Sequence, residues 1–436
     1  MKRTALILSL VSVLLLTTAC GNNGGSSVVS FVKPQSEVGS GVDGDETMRL
    51  PGYELTNKKV TMLTHYDSEP NSVFKDTYGG ELERIIVPSD QVTARFQQLV
   101  NSNTPPDLLD SNFIPTLVTK GYVQPLDEYI DFSTPLWSGV KESHEKIRVD
   151  GKLYMIDPMC ARYSVMWYNK TIFKNAGLKN PGELLAEGNW NWDTYRDAAI
   201  KLTTKGADGN VKQWGTAIDT LEAYIHTTGK GIVSYEEGNP VNCIKSNEIS
   251  RAMNFLIDLS TKDNCVYPGG DSREQFAQGK IAMVEGHVWY RDPLRDMLKN
   301  GDIAFVPTAK DPESDQYYIM ENFGSSGFYI PKGAKNVTGA AAYICSIRYS
   351  HLDKNKQKET FDKLAAEVGW TQECEDMLQA MQSEQYSPVP NTMSFFDLGE
   401  YYGDIFARPK DGEPWATIAE ELAPKIDGNI EKAYAK

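Results

Sequence analysis

The sequence predicts an α/β protein built as two lobes, on three observations. Short strand-like apolar runs alternate with amphipathic stretches from Lys59 onwards, a second series of the same kind starts near Met159, and 436 residues are far more than one small core needs. Strands alternating with helices predict a parallel sheet with helices on both faces, and ligands in such sheets bind beyond the carboxyl ends of the strands.

The chain opens with Lys2 and Arg3, an apolar run from Ala5 to Leu16, and the small pair Thr18-Ala19 before Cys20. A helix needs about 20 apolar residues to span a bilayer. The shorter run therefore reads as an export signal, residues 1–19, ending at a lipidatable cysteine. It resembles a bacterial lipobox with one departure: Thr17 stands three positions before the cysteine, where leucine is usual, and Leu16 is one further back. Residues 20–57 are rich in Gly, Ser, Asn and acids and show no sustained apolar period, as expected of a flexible tether. Gly39 to Gly44 fits the dinucleotide fingerprint G-x-G-x-x-G, which has meaning only between a strand and a helix and here lies in the tether.

The body begins with a strand, Lys59 to Leu63, followed by a polar turn from His65 to Asn71. A second strand, Glu83 to Val87, precedes Ser89, the expected N-cap of a helix whose apolar side is Val92, Phe96, Leu99 and Val100. A third strand, Asp107 to Leu109, opens onto Asp110, Ser111 and Asn112. In the second region, the helices Asp193 to Thr203 and Asn247 to Leu259 carry core stripes. Trp192, Tyr195, Ala199 and Leu202 mark one, and Ile249, Ala252, Met253, Leu256 and Leu259 the other. Ser272 with Gln275 matches a capping box, and Gly279 stops that helix. The strand Ile281 to Glu285 then leads directly into Gly286, His287, Val288 and Trp289. From about Val337 the pattern is mostly helical, interrupted by the aromatic stretch Ser387 to Phe396.

Composition excludes several classes. Loss of residues 1–19 removes Lys2 and Arg3 and no acid, lowering the net charge of −15 by a further two. Such a surface repels phosphate backbones, so nucleic acid is not an expected partner. The 5 histidines, at 65, 144, 226, 287 and 351, show no i, i+4 pair for a metal. Neither a P-loop nor a G-x-S-x-G elbow occurs; Gly324 to Gly327 is one residue short of the latter. No cofactor or metal is expected. Setting Cys20 aside, the odd set Cys160, Cys243, Cys265, Cys345 and Cys374 contains no C-x-x-C pair, and leaves room for one bridge, with Cys243 and Cys265 as the nearest pair.

The ordered segments Gly151-Lys-Leu-Tyr154, Pro158, Tyr168-Asn-Lys170, Phe173, Gly177 and Trp192-Asp193, then Phe276-x-x-Gly279-Lys-Ile-Ala-Met283, Gly286 and Trp289, resemble extracellular solute-binding proteins of ABC importers. The likeness is to the carbohydrate-binding branch that includes maltose-binding protein, and covers the body from about residue 58. It implies a periplasmic-binding-protein-like fold of two α/β lobes joined by a multi-segment hinge. Residues 58–158 and 312–349 would form the first lobe and 159–311 and 350–436 the second, with crossings near Pro158 to Arg162, Pro312 and Tyr349.

A sugar offers apolar C–H faces that stack on aromatic rings and hydroxyls that need partners once desolvated. Trp289 occupies the position that resembles the family's stacking tryptophan, and Glu222 with Tyr224 resembles its Glu-x-Tyr cleft segment. Glu285 and His287 lie beside Trp289, Asp110 and Asn112 follow the third strand, and Tyr66 and Asp67 follow the first. Arg162 sits at the crossing, and Phe396, with Phe395, stands where related chains often carry tryptophan. Trp167 and Trp192 read as packing.

The expected function is capture of a carbohydrate outside the cell by hinge closure, and its delivery to an ABC permease by a lipid-anchored monomer with no chemistry of its own. Two alternatives stand beside it. An exported glycoside hydrolase or lyase would also show cleft aromatics with acids such as Asp110, Glu222 and Glu285. A ligand-presenting subunit of a sensor system would look the same from sequence.

Overall fold

The computed structural model describes residues 31, 33–39, 41–42, 45, 47–67, 71–140, 144–145, 147–159, 163–236, 239–322, 327–393 and 395–434; Cys20, Cys160 and Arg162 lie outside them. Two five-stranded sheets organise the body. In the first, the order is Glu81–Ile86, Lys59–Thr64, Leu108–Ser111, Gly327–Pro331, Val123–Gln124. The first three strands are parallel, as the alternation predicts. Gly327–Pro331 runs antiparallel to both of its neighbours. That strand returns from a remote part of the sequence, so no short helical crossover dictates its direction.

The second sheet has the order Ile303–Pro307, Ser164–Asn169, Ile281–His287, Val211–Ile218, Thr204–Lys205. Only Ile281–His287 with Val211–Ile218 is parallel, so this sheet too is mixed. Trp167 lies at the heart of its core, edge-on to Phe305 at 5.0 Å and to Trp370 at 6.4 Å, among Val165, Val284 and Ile303. Trp192 is likewise buried, stacked on Phe255 at 4.6 Å, so both tryptophans pack as expected.

The long helix Val337–Leu352 packs on the first sheet and is apolar nearly all round, as a helix covered on every side must be. A Cβ at Gly339 would stand 2.7 Å from Val60 Cγ2, so glycine permits the close approach of helix to strand. Asn336 caps this helix by accepting from the Gly339 N–H at 2.9 Å. Its Nδ2 donates to the carbonyls of Asn57 and Lys59 at 2.9 and 2.8 Å, tying the helix start to the first strand.

Several local expectations change. Ser89 opens a single 3₁₀ turn instead of capping, and the helix proper runs Val92–Asn101 with Val92 and Phe96 buried. Ser272 makes no cap to the helix Arg273–Ala277, because its hydroxyl donates to Asp219 at 2.7 Å. Cys243 and Cys265 are both free and buried, and so form no bridge.

The chain's passages between the sheets also shift. Tyr317–Glu321 pairs with Tyr386–Pro390, and Ile319 belongs to the core around Trp167. The return to the first sheet therefore falls between Glu321 and Gly327, later than the Pro312 expectation. After Leu352 the chain rejoins the second core through Val368, Trp370 and Cys374. The last helix, Trp415–Tyr434, touches both sides: Thr119 Oγ1 donates to the Ala433 carbonyl at 3.5 Å, and Asn242 Nδ2 to the Ala423 carbonyl at 3.0 Å.

Candidate functional site

The carboxyl ends of strands from both sheets open onto one cleft of about 1010 Å³. The first sheet supplies Met62 and Thr64, the following loop Tyr66 and Asp67, the third strand Asp110, and the returning strand Gly327 and Phe328. Tyr343 and Ile347 of the long helix close that wall. The second sheet's wall holds Tyr163, His287, Val288, Trp289 and Arg291, and the connecting segments add Asp157, Met159 and Asn322.

On the first wall, the chain leaves Lys59–Thr64 in a fixed direction. Thr64 Oγ1 donates to Asp110 Oδ2 at 2.9 Å and accepts the Tyr66 N–H at 3.0 Å. Tyr66 lies beside His65, with centroids 3.8 Å apart, and remains 46% exposed, so its ring is presented to the cleft. Asp67 is held by Arg84 at 3.0 Å.

The opposite wall centres on His287 and Trp289. Burial pushes the His287 pKa down, which leaves a neutral ring with one donor and one acceptor. Asn322 Nδ2 lies 3.4 Å from Nδ1, and the Thr220 hydroxyl 3.5 Å from Nε2. With the amide oriented this way its N–H donates, which assigns the acceptor role to Nδ1 and the proton to Nε2. The Trp167 indole N–H donates to the His287 carbonyl at 3.0 Å and so links the core to the cleft wall. Trp289, in the 3₁₀ turn Val288–Arg291, is 49% exposed and lies nearly parallel to His287, 19° apart at 5.7 Å.

Of the residues singled out by sequence, Trp289, His287, Tyr66, Asp67 and Asp110 line this cleft together. Others do not. Tyr224, on the short helix Glu222–His226, is fully buried against Tyr195 and Phe255, at 5.4 and 5.7 Å. Glu222 is outside the lining, 3.5 Å from the Tyr402 hydroxyl, and burial raises its pKa. Glu285 has no exposed surface; it accepts from Thr308 at 2.9 Å, and burial raises its pKa well above the ordinary range. Phe396 packs between Tyr235 and Tyr434. Asn112 is exposed and is not among the cleft residues, while its carbonyl accepts from Tyr329 at 2.8 Å. Arg162 falls outside the described residues.

Sequence reasoning missed Asp157, Met159 and Tyr163, although they flank the crossing it named. It also missed Asn322, Tyr343 and Ile347, which carry no local signal. Among the described residues, no three His, Cys, Asp or Glu side chains come together to hold a metal ion.

Comparison with known proteins places this geometry. A family profile described as bacterial extracellular solute-binding protein matches residues 70–344. A protein of Brucella abortus (strain 2308), named as a binding protein, is 25% identical over 250 residues, or 54% of this chain and 58% of that one. The chain thus spans little more than half the length of the curated relatives it matches. Among solved structures, an ABC substrate-binding protein from Listeria monocytogenes in complex with cycloalternan has TM-score 0.59 at 18% identity, over 86% of this chain and 98% of that one. A maltose/maltodextrin-binding domain from Bdellovibrio bacteriovorus bound to maltotriose has TM-score 0.56 at 15% identity, over 86% and 100%. At such identities the likeness is one of fold: two α/β lobes with a cleft between them. The family profile spans well over half of the chain, which therefore belongs to the bacterial extracellular solute-binding proteins.

Proposed function

We propose that the protein captures a carbohydrate of several sugar units in this cleft, by closure of the two lobes, and hands it to the permease of an ABC importer. The observation that carries the reading is the pairing, in one cleft, of the exposed rings of Trp289 and Tyr66 with the short polar side chains of Asp67, Asp110 and Asn322. Rings receive the C–H faces of a sugar, and the carboxylates and amide receive its hydroxyls. A volume of about 1010 Å³ lies at the upper end of small-molecule sites, which favours an oligosaccharide over a single ring. Closure by hinge motion is within the known repertoire of two-lobed binders. The glycans bound by the structural neighbours support the same class.

In this reading the protein is a monomer held to the outer face of the cytoplasmic membrane through lipid on Cys20, and performs no chemistry. Of the acids given as examples for the hydrolase alternative, Asp110 lines the cleft and Glu222 and Glu285 do not. A thermal-shift screen against monosaccharides, oligosaccharides and polyols tests the proposal, since a ligand of the native state raises Tm by mass action. A glycan that shifts Tm and is recovered unchanged supports capture. A glycan that is consumed supports an enzyme.

A further inference from the structure

We propose that Arg273, held by Asp271, is a positioning residue that fixes the indole of Trp289 as a preformed wall of the cleft. This rests on the reading of Trp289 as a sugar-stacking residue, but the geometry has its own content. Trp289 is a large aromatic side chain, half exposed, on a single 3₁₀ turn. Such a ring would ordinarily sample several rotamers, and ordering it on binding would cost affinity.

Three contacts to the ring restrict that freedom. The Arg273 guanidinium lies 5.1 Å from the Trp289 ring centroid and 5.4 Å from that of Tyr290. Tyr290 meets Trp289 edge to face at 4.7 Å, and His287 lies nearly parallel to it at 5.7 Å. The guanidinium is itself anchored, with Nε donating to Asp271 Oδ1 at 2.7 Å and Nη2 to Oδ2, while the Arg273 backbone N–H donates to Oδ1 at 3.0 Å. Tyr290 is anchored too, its hydroxyl donating to Asp219 at 2.8 Å.

Arg273 does not line the cleft; with Asp271, Glu274 and Pro293 it lines a separate outer depression. Trp289 thus lines the cleft, while the cation over its ring lies outside the cleft lining. A cation over an aromatic face favours the stacked geometry electrostatically, and the planar guanidinium keeps that geometry better than an ammonium on a flexible stem.

The test uses full-length protein labelled with 5-fluorotryptophan, in which the Trp289 resonance is assigned by its loss in Trp289→Phe. Arg273→Ala is expected to shift and broaden that resonance, Asp271→Asn to broaden it less, and Arg273→Lys to fall between Arg273→Ala and the unaltered protein. An unchanged position and linewidth in Arg273→Ala would overturn the proposal without reference to any sugar. Titration with maltotetraose supplies the second arm. If it binds, Arg273→Ala should weaken it about two- to fivefold, the range of an exposed cation–π contact, and should add nothing in a Trp289→Ala background. An equal loss in both backgrounds would refute positioning through Trp289. If maltotetraose does not bind the unaltered protein, that result counts against the sugar reading, and the fluorine spectrum alone decides the role of Arg273.

Discussion

Replacing Gly286 by alanine should destabilise the protein and disturb the cleft at the same time. Gly286 lies on the strand Ile281–His287, and a Cβ there would stand 2.4 Å from Tyr290 Cε2 and 2.7 Å from Cζ. Ordinary carbon contacts lie near 3.5 Å, so the ring must retreat by about 1 Å. It has little room, being 5% exposed, bonded to Asp219 and packed against Trp289. Overpacking of this kind costs about 1–3 kcal/mol, and a strained or lost hydrogen bond to Asp219 adds about 1 kcal/mol. The expected loss is therefore about 2–4 kcal/mol, read as a lower urea midpoint at constant m. The cause is tested by a double-mutant cycle with Tyr290→Ala, which removes the obstructing ring. Gly286→Ala should then cost little in the Tyr290→Ala background. An equal cost in both backgrounds, or a single-mutant loss below about 0.5 kcal/mol, would refute the argument.

Three further outcomes are expected. Asn336→Ala should cost about 2–3 kcal/mol in urea unfolding, because it removes a helix cap and strands the carbonyls of Asn57 and Lys59; a loss within 0.5 kcal/mol would show that solvent replaces these bonds. Burial raises the Glu285 pKa above the ordinary 4.5, so the native state keeps a proton that the unfolded chain releases. That contribution to stability is present below about pH 4.5 and declines as pH rises toward the folded pKa, by roughly 1.4 kcal/mol per unit. Glu285→Gln should therefore gain on the unaltered protein between pH 4 and pH 8, and a pH-independent difference would contradict the assignment. Finally, Cys20→Ala should release the protein from the membrane fraction, and continued retention would contradict the lipid anchor.

Much of the fold was legible because local signals and tertiary structure agree. Lys59–Thr64 and Leu108–Ser111 are short apolar runs ending in polar turns, and their carboxyl ends face the cleft as parallel-strand logic requires. The stripe Ile249, Ala252, Met253, Leu256 and Leu259 is buried as read. Where sequence reasoning failed, the deciding partner was distant. Ser272 looked like a cap until Asp219, 53 residues away, took its hydroxyl. Glu285 sits on a strand paired on both edges and buried on both faces, so alternation could not tell cleft from core. Tyr224 and Phe396 carried a family resemblance but no local indication of the aromatic partners that bury them. Asn322 reaches His287 only because the chain crosses between the sheets beside it.

Stacking of a sugar on Trp289 is tested by the thermal shift of the protein and of its Trp289→Ala variant against the same glycans. One class of oligosaccharide should raise Tm in the unaltered protein, be recovered intact, and lose affinity by a few kcal/mol in the variant, as large hot-spot truncations do. An equal shift in both proteins would remove Trp289 from the site. The absence of any glycan-induced shift would contradict the carbohydrate reading itself.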